Sequence, residues 1–223
     1  MNKKLLTIMV IAVAFALVSS ANASFNFGVK SLSYSTESYF SIVEINETYM
    51  PPQIAFHLGA TAGAQAVIFG GVEIAKFSYE SNEENIYDSK EKYSLFILSP
   101  FFGGKYYFSP MSSGHVSLYF SGTIFKSFAS ASYESEYTYV YKTYNSVSDD
   151  RNEEYLKELN SPFGFIPAFG AEYFFSDNFS LGGETGAKFA FSKADYEKDN
   201  YKEELKGSYI DHYIAITLNF FVD

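Results

Sequence analysis

The chain has 223 residues, 47% hydrophobic and 20% aromatic, with a formal charge of −10. Twenty Tyr and twenty-four Phe exclude a disordered chain, and the absence of Cys excludes disulfide frameworks, thiolate metal sites and cysteine nucleophiles. The acidic balance argues against nucleic acid as a partner, and a mean hydropathy of −0.07 excludes a bundle of apolar helical spans.

Residues 1–23 predict a secretory signal peptide. Lys3 and Lys4 precede an apolar run from Leu5 to Val18, and Ala21-Asn22-Ala23 offers an A-x-A cleavage pattern. The domain proper is then expected over 24–223. Its charge becomes −12 once the two lysines are lost.

After residue 24 the recurring period is two, not 3.6. It predicts eight strands at 25–35, 53–62, 66–79, 93–108, 115–130, 162–175, 178–192 and 208–222. In the first, the apolar face changes parity between Val29 and Leu32, which predicts a β-bulge. A similar bulge is expected in the third near Gly70-Gly71. The last is the cleanest. Ile210, His212, Ile214, Ile216, Leu218, Phe220 and Val222 oppose Asp211, Tyr213, Ala215, Thr217 and Asn219. Pro100 to Ser109 also aligns without gaps with Pro167 to Ser176, and each copy is followed by a short polar turn and another alternating segment. The repeating unit is a hairpin.

Connections alternate in length. Those at 63–65, 109–114 and 176–177 are short and carry Gly63, Pro110, Gly114 and Asp177. Those at 37–52, 80–92, 131–161 and 193–207 are long and hold nearly all of the net charge. An antiparallel order then puts short turns at one end and long acidic loops at the other, the asymmetry of outer-membrane barrels.

The sparsely charged face decides which way the wall turns. It carries Lys30, His57, Glu73, Lys105, Glu172, Glu184, Lys188 and Asp211, among mostly small residues. Eight strands facing bulk water need far more charge. A narrow lumen needs small residues and a few paired ions. The other face is apolar and aromatic towards its ends, as at Tyr106, Phe108, Tyr173, Phe175, Phe179 and Phe220, and Lys76 and Lys126 are placed to snorkel near the long-loop end.

The expected fold class is therefore all-β, an eight-stranded antiparallel up-and-down transmembrane β-barrel. The Pro-x-Phe-Gly-x-x-Tyr-x-Phe strands at 100–108 and 167–175, the segment from Asn178 to Glu184 and the final alternating strand carry a family likeness. The chain resembles the small outer-membrane β-barrels of Gram-negative bacteria, similar to the OmpA transmembrane domain and OmpX. The resemblance implies a cell outer-membrane location after export, contact with outer-membrane lipids and lipopolysaccharide, and insertion by the barrel-assembly machinery. Relatives usually end on an aromatic residue; this chain ends Phe220-Phe221-Val222-Asp223.

Chemistry is sparse, and neither enzymatic activity nor a cofactor or metal is expected. His57 is an interior residue and His212 an interfacial one. His115-Val116-Ser117 has the His-x-Ser spacing of lipid A deacylases, but it sits beside a short turn with no carboxylate partner. Asp149-Asp150 with Glu153-Glu154 is the nearest approach to a Ca²⁺ cluster. No Gly-x-Ser-x-Gly elbow is present. The functional candidates are the lumen charges Lys30, Glu73, Lys105, Glu172, Glu184, Lys188 and Asp211, and the loop tyrosines Tyr133, Tyr137, Tyr139, Tyr141 and Tyr144. The tyrosines suit contacts with a surface protein or glycan. A monomer with a structural or adhesion-like role is the leading expectation. A narrow porin-like channel, a lipid-modifying enzyme and a soluble lipocalin-like carrier are the alternatives.

Overall fold

A computed structural model describes residues 24–34, 53–84, 87–139, 142–146, 157–198 and 201–222. The strands are β1 (Phe25–Tyr34), β2 (Gln53–Thr61), β3 (Ala66–Glu84), β4 (Tyr87–Tyr107), β5 (Val116–Lys126), β6 (Phe128–Tyr139), β7 (Lys142–Ser146), β8 (Phe163–Ser176), β9 (Phe179–Lys198) and β10 (Tyr201–Val222). All pairings are antiparallel. The order β3-β2-β1-β10-β9-β8-β5-β4 closes through a β3–β4 ladder. Closure matters because a membrane leaves no water for the unpaired groups of a free edge.

Ten segments make eight walls. β5 and β6 both pair with β4 in one register, Phe101 facing Phe125 and Leu98 facing Phe128. They are divided only at Ser127, where the facing stretch contains Pro100 and so lacks one donor. There Ser127 N–H donates to Pro162 O at 2.8 Å, and the Ser99 and Ser127 hydroxyls are 2.7 Å apart. β7 folds back on β6 as a hairpin, with Tyr137 facing Tyr144.

The pairing is staggered. Around the wall, Phe27 faces Leu58, then Gly70, Phe102, Ile124, Phe165, Phe189 and finally Ile210. Phe27 itself faces Phe220 on β10, ten residues further along. That offset tilts the strands by roughly 35–45°, as closing eight of them requires.

Inner and outer faces separate cleanly. On β2 burial alternates residue by residue from Gln53 to Leu58. The outer face exposes Phe56, Leu58, Phe120, Ile124, Phe169 and Ile216, with Leu58 at 72% exposure. In water such a surface would be a severe liability; in hydrocarbon it is the correct solvent match. Gly63 and Gly114 make the short turns possible, because both adopt positive φ, 72° and 77°.

Three local expectations need correction. β1 has no bulge: its registers with β2 and β10 are unbroken, Leu32 is buried beside Lys30, and the outer face simply passes from Val29 to Ser31 and Ser33. β3 likewise runs unbroken past Gly70-Gly71, placing Phe69, Glu73 and Phe77 inside. A large apolar residue in a lumen can look like a face change in sequence. Among the described residues, the ladder registers shift only between Phe174 and Ser176, beside the β8–β9 turn. Segments expected as loops at 80–92 and 193–207 are mostly ladder, with Glu84 facing Asp88 and Lys198 facing Tyr201. Backbone pairing continues past the apolar belt because a two-stranded ribbon satisfies its own N–H and C=O groups. From the segment 131–161, β6, β7 and a helical turn at 157–159 emerge. The segment 37–52 and the acidic pairs near 150 lie outside the described residues.

Candidate functional site in the charged lumen

The inner face is built around carboxylates. Glu172 of β8 is fully buried, and four donors meet it. Lys105 Nζ donates to Oε2 at 2.9 Å and Tyr107 OH at 2.7 Å. Asn219 Nδ2 donates to Oε1 at 2.6 Å, and Ser180 Oγ donates to the same oxygen. A carboxylate with both oxygens doubly satisfied is held in its ionised form at tolerable cost.

Glu184 of β9 forms the second centre. Lys30 Nζ donates to Oε1, joined by Tyr213 OH at 3.0 Å. Tyr119 OH and Ser121 Oγ donate to Oε2 at 3.1 and 3.3 Å. The third group is looser. Lys188 Nζ is 3.7 Å from Glu73 Oε1 and 4.7 Å from the centre of the Phe125 ring. Asp211, also buried, faces Lys188 in the β9–β10 register. The structure thus brings all seven predicted lumen charges into one interior and sorts them into three groups.

His57 belongs to the first group through Asn219. Its Nε2 is 2.9 Å from Asn219 Oδ1. Because Asn219 directs its amide donors to Glu172 and Ser180, its oxygen must accept. His57 therefore donates from Nε2, which assigns the tautomer by network rather than by observation. Gly28 gives the ring its place: a Cβ there would lie 2.5 Å from His57 Cε1.

Aromatic packing closes the end nearest the short turns. Val67, Phe69, Tyr107, Tyr119, Phe174 and Phe221 form one buried cluster. Tyr107 and Tyr119 rings lie 5.3 Å apart, and Tyr107 meets Phe174 at 6.0 Å. Gly170 leaves room for Tyr119, since a Cβ there would sit 2.3 Å from its Cζ. These phenols join packing to the ion network, each ring in the cluster and each hydroxyl on a carboxylate. Sequence reasoning does not single out Tyr107 and Tyr119. Their inward parity, one step from outward Tyr106 and Phe120, is the signal that finds them.

The other candidates are dispersed. Tyr133, Tyr137 and Tyr139 lie on β6 and Tyr144 on β7; Tyr141 is outside the described residues. His115 sits in the β4–β5 turn, donating from Nδ1 to Ser113 O at 2.9 Å, whereas Ser117 is buried and donates to Pro110 O, with Ser109 Oγ donating to its hydroxyl. The His-x-Ser spacing therefore joins a turn residue to a packed one. His212 faces outward, 2.9 Å from Thr185 Oγ1.

No protein-family model and no curated protein sequence matches the chain. Solved structures do. The NMR structure of E. coli outer membrane protein W covers 90% of this chain and 98% of its own, with a TM-score of 0.51 at 9% identity. Neisserial surface protein A covers 89% and 96% of the two chains, with a TM-score of 0.41 at 10% identity. A major outer membrane protein from Thermus thermophilus covers 90% and 100%, with a TM-score of 0.43 at 11% identity. The likeness to the first of these is one of fold, and the closed antiparallel order of this chain is that of the small eight-stranded outer-membrane β-barrels that its strand motifs resemble.

Proposed function

We propose that this protein is an integral outer-membrane barrel that spans the membrane with a filled lumen and presents its long strand ribbons at the cell surface. The observation that carries this is the pairing of an apolar exterior with an interior occupied by ion-centred networks. Lys105, Glu172, Lys30 and Glu184 lie across the lumen together with Tyr107 and Tyr119. An eight-stranded wall leaves room for side chains and little more. The role that follows is structural or adhesive, not general diffusion. The ribbons β3–β4–β6–β7 and β9–β10 continue beyond the apolar belt, and Tyr133, Tyr137, Tyr139 and Tyr144 sit on the first. A strand-rich, Tyr-rich surface suits contact with a protein or glycan. The protein works as a monomer delivered by its signal segment and inserted by the assembly machinery.

Heat-modifiable gel migration and detergent-dependent extraction test the membrane reading; extraction by salt alone would overturn it. Planar-bilayer recording tests the filled lumen. The wild-type protein is expected to stay closed, and Glu184→Lys, which sets two cations face to face, is expected to open small conductance steps. Open wild-type channels would favour the narrow-channel reading instead.

A further inference from the structure

His57 and Asn26 cross between β1 and β2 in opposite directions. On the inner face Gly28 pairs with His57 and Asn26 with Gly59, so the two side chains are diagonal neighbours. Each leans over the other's strand, onto a glycine. The His57 ring lies over Gly28 on its way to Asn219 of β10, 2.9 Å from its Nε2. Asn26 leans back over Gly59, where a Cβ would lie 2.4 Å from its Oδ1. The His57–Asn219 bond therefore ties β2 to β10 over β1, at the place where the first and last strands of the wall meet.

One atom of each crossing side chain is left over. Both residues are at 4% exposure. His57 Nδ1 and Asn26 Oδ1 are buried, and among the described residues neither has a hydrogen-bond partner. Folded interiors rarely keep an enclosed polar atom unpaired, because its lost hydration is not replaced. The chemistry of the two atoms selects what pairs with them. Nε2 carries the ring proton donated to Asn219, so Nδ1 is an acceptor. Asn26 Oδ1 is another. Two acceptors side by side exclude an anion or a carbonyl and call for a donor with two protons to give. A cation is disfavoured too, since His57 and Lys30 pack on the same Phe69 ring, the imidazole 5.7 Å and Lys30 Nζ 5.5 Å from its centre. The neutral double donor small enough for a packed lumen is water. Diagonal neighbours stand ~7–8 Å apart at Cβ, a span that two leaning side chains and one water fill.

We propose that His57 Nδ1 and Asn26 Oδ1 together bind one long-lived buried water, which completes a latch across β2, β1 and β10. The site lies inside the filled lumen proposed above and rests on that reading.

Magnetic resonance of the full chain, labelled with nitrogen-15 and held in lipid bilayers at neutral pH, tests it. His57 is assigned by the signals lost in His57→Gln. Its Nδ1 is expected to give the resonance of an unprotonated, hydrogen-bonded nitrogen and to receive magnetisation from water. Asn26→Leu is expected to abolish that transfer and to keep heat-modifiable migration. A protonated Nδ1, a nitrogen–nitrogen coupling that shows the Asn26 amide donating to Nδ1 directly, or a wild-type Nδ1 that receives nothing from water would each overturn the site. Unchanged transfer in folded Asn26→Leu would do the same. The wild-type spectrum carries the test even if Asn26→Leu fails to fold. Lys105 Nζ separates the two readings. Strong water transfer there as well as at His57 refutes the filled lumen, and the site with it. No transfer at either refutes only the site.

Discussion

Glu172 and Glu184 show how a charge survives inside a barrel. Each is reached by one lysine and three neutral donors, so neither oxygen is left bare. Removing one partner is then costly. Glu172→Ala leaves Lys105 buried without its counter-ion and is expected to destabilise the barrel by about 3–5 kcal/mol in urea unfolding from lipid vesicles. Replacing both partners with apolar residues, as in Glu172→Leu/Lys105→Met, is expected to recover only part of that loss, because no charge is left buried while the Tyr107, Asn219 and Ser180 donors lose their acceptor. A double variant as unstable as the single one would mean that the network does more than satisfy its own ions. Tyr107→Phe removes one hydrogen bond to a carboxylate and is expected to cost about 1.5–3 kcal/mol by the same measurement. Gly170→Ala is expected to cost about 1–3 kcal/mol, since the added methyl meets the Tyr119 ring.

At the scale of the strand, the outer and inner faces obey different solvents. Ile216, at 60% exposure, lies on the outer face of β10, one residue from fully buried Thr217. Ile216→Arg is expected to cost about 2–4 kcal/mol when measured in a bilayer, because it sets a cation at mid-depth. The ribbons follow another rule. β9 and β10 stay paired from Lys198 and Tyr201 down to Phe179 and Phe220, well past the outward Phe191 and Ile210. Their far halves lie beyond the apolar belt and beyond the lumen networks. Replacing 194–205 with a two-residue turn is therefore expected to leave heat-modifiable migration intact. Loss of the folded band would show that the ribbon is needed for assembly.

For the whole molecule, closure is what matters. One ladder, β3–β4, turns a sheet with two edges into a wall with none, and the stagger from Ile210 to Phe220 sets its tilt. Closure also gathers residues from β1, β4, β8 and β9 that are up to 154 positions apart, as Lys30 and Glu184 are. The interior charge is nearly balanced, with Lys30, Lys105 and Lys188 against Glu73, Glu172, Glu184 and Asp211. A filled, near-neutral lumen is the whole-molecule property that bilayer recording probes.

Alternation by itself determined the eight walls, the inward and outward faces and the membership of the lumen charges, because a period of two assigns every residue of a regular strand to one side. It could not determine which lysine meets which carboxylate. Lys105 and Glu172 are joined by register and closure, and no local pattern encodes either. It also misread Leu32 and Phe69, since an apolar residue inside a lumen carries the same letter as one facing lipid. The extent of the ribbons escaped it for a related reason. Outside the belt both faces meet water, so the contrast that marks a strand fades while the backbone ladder continues. Only the tertiary structure decided those points, because each depends on the partner strand and not on the strand itself.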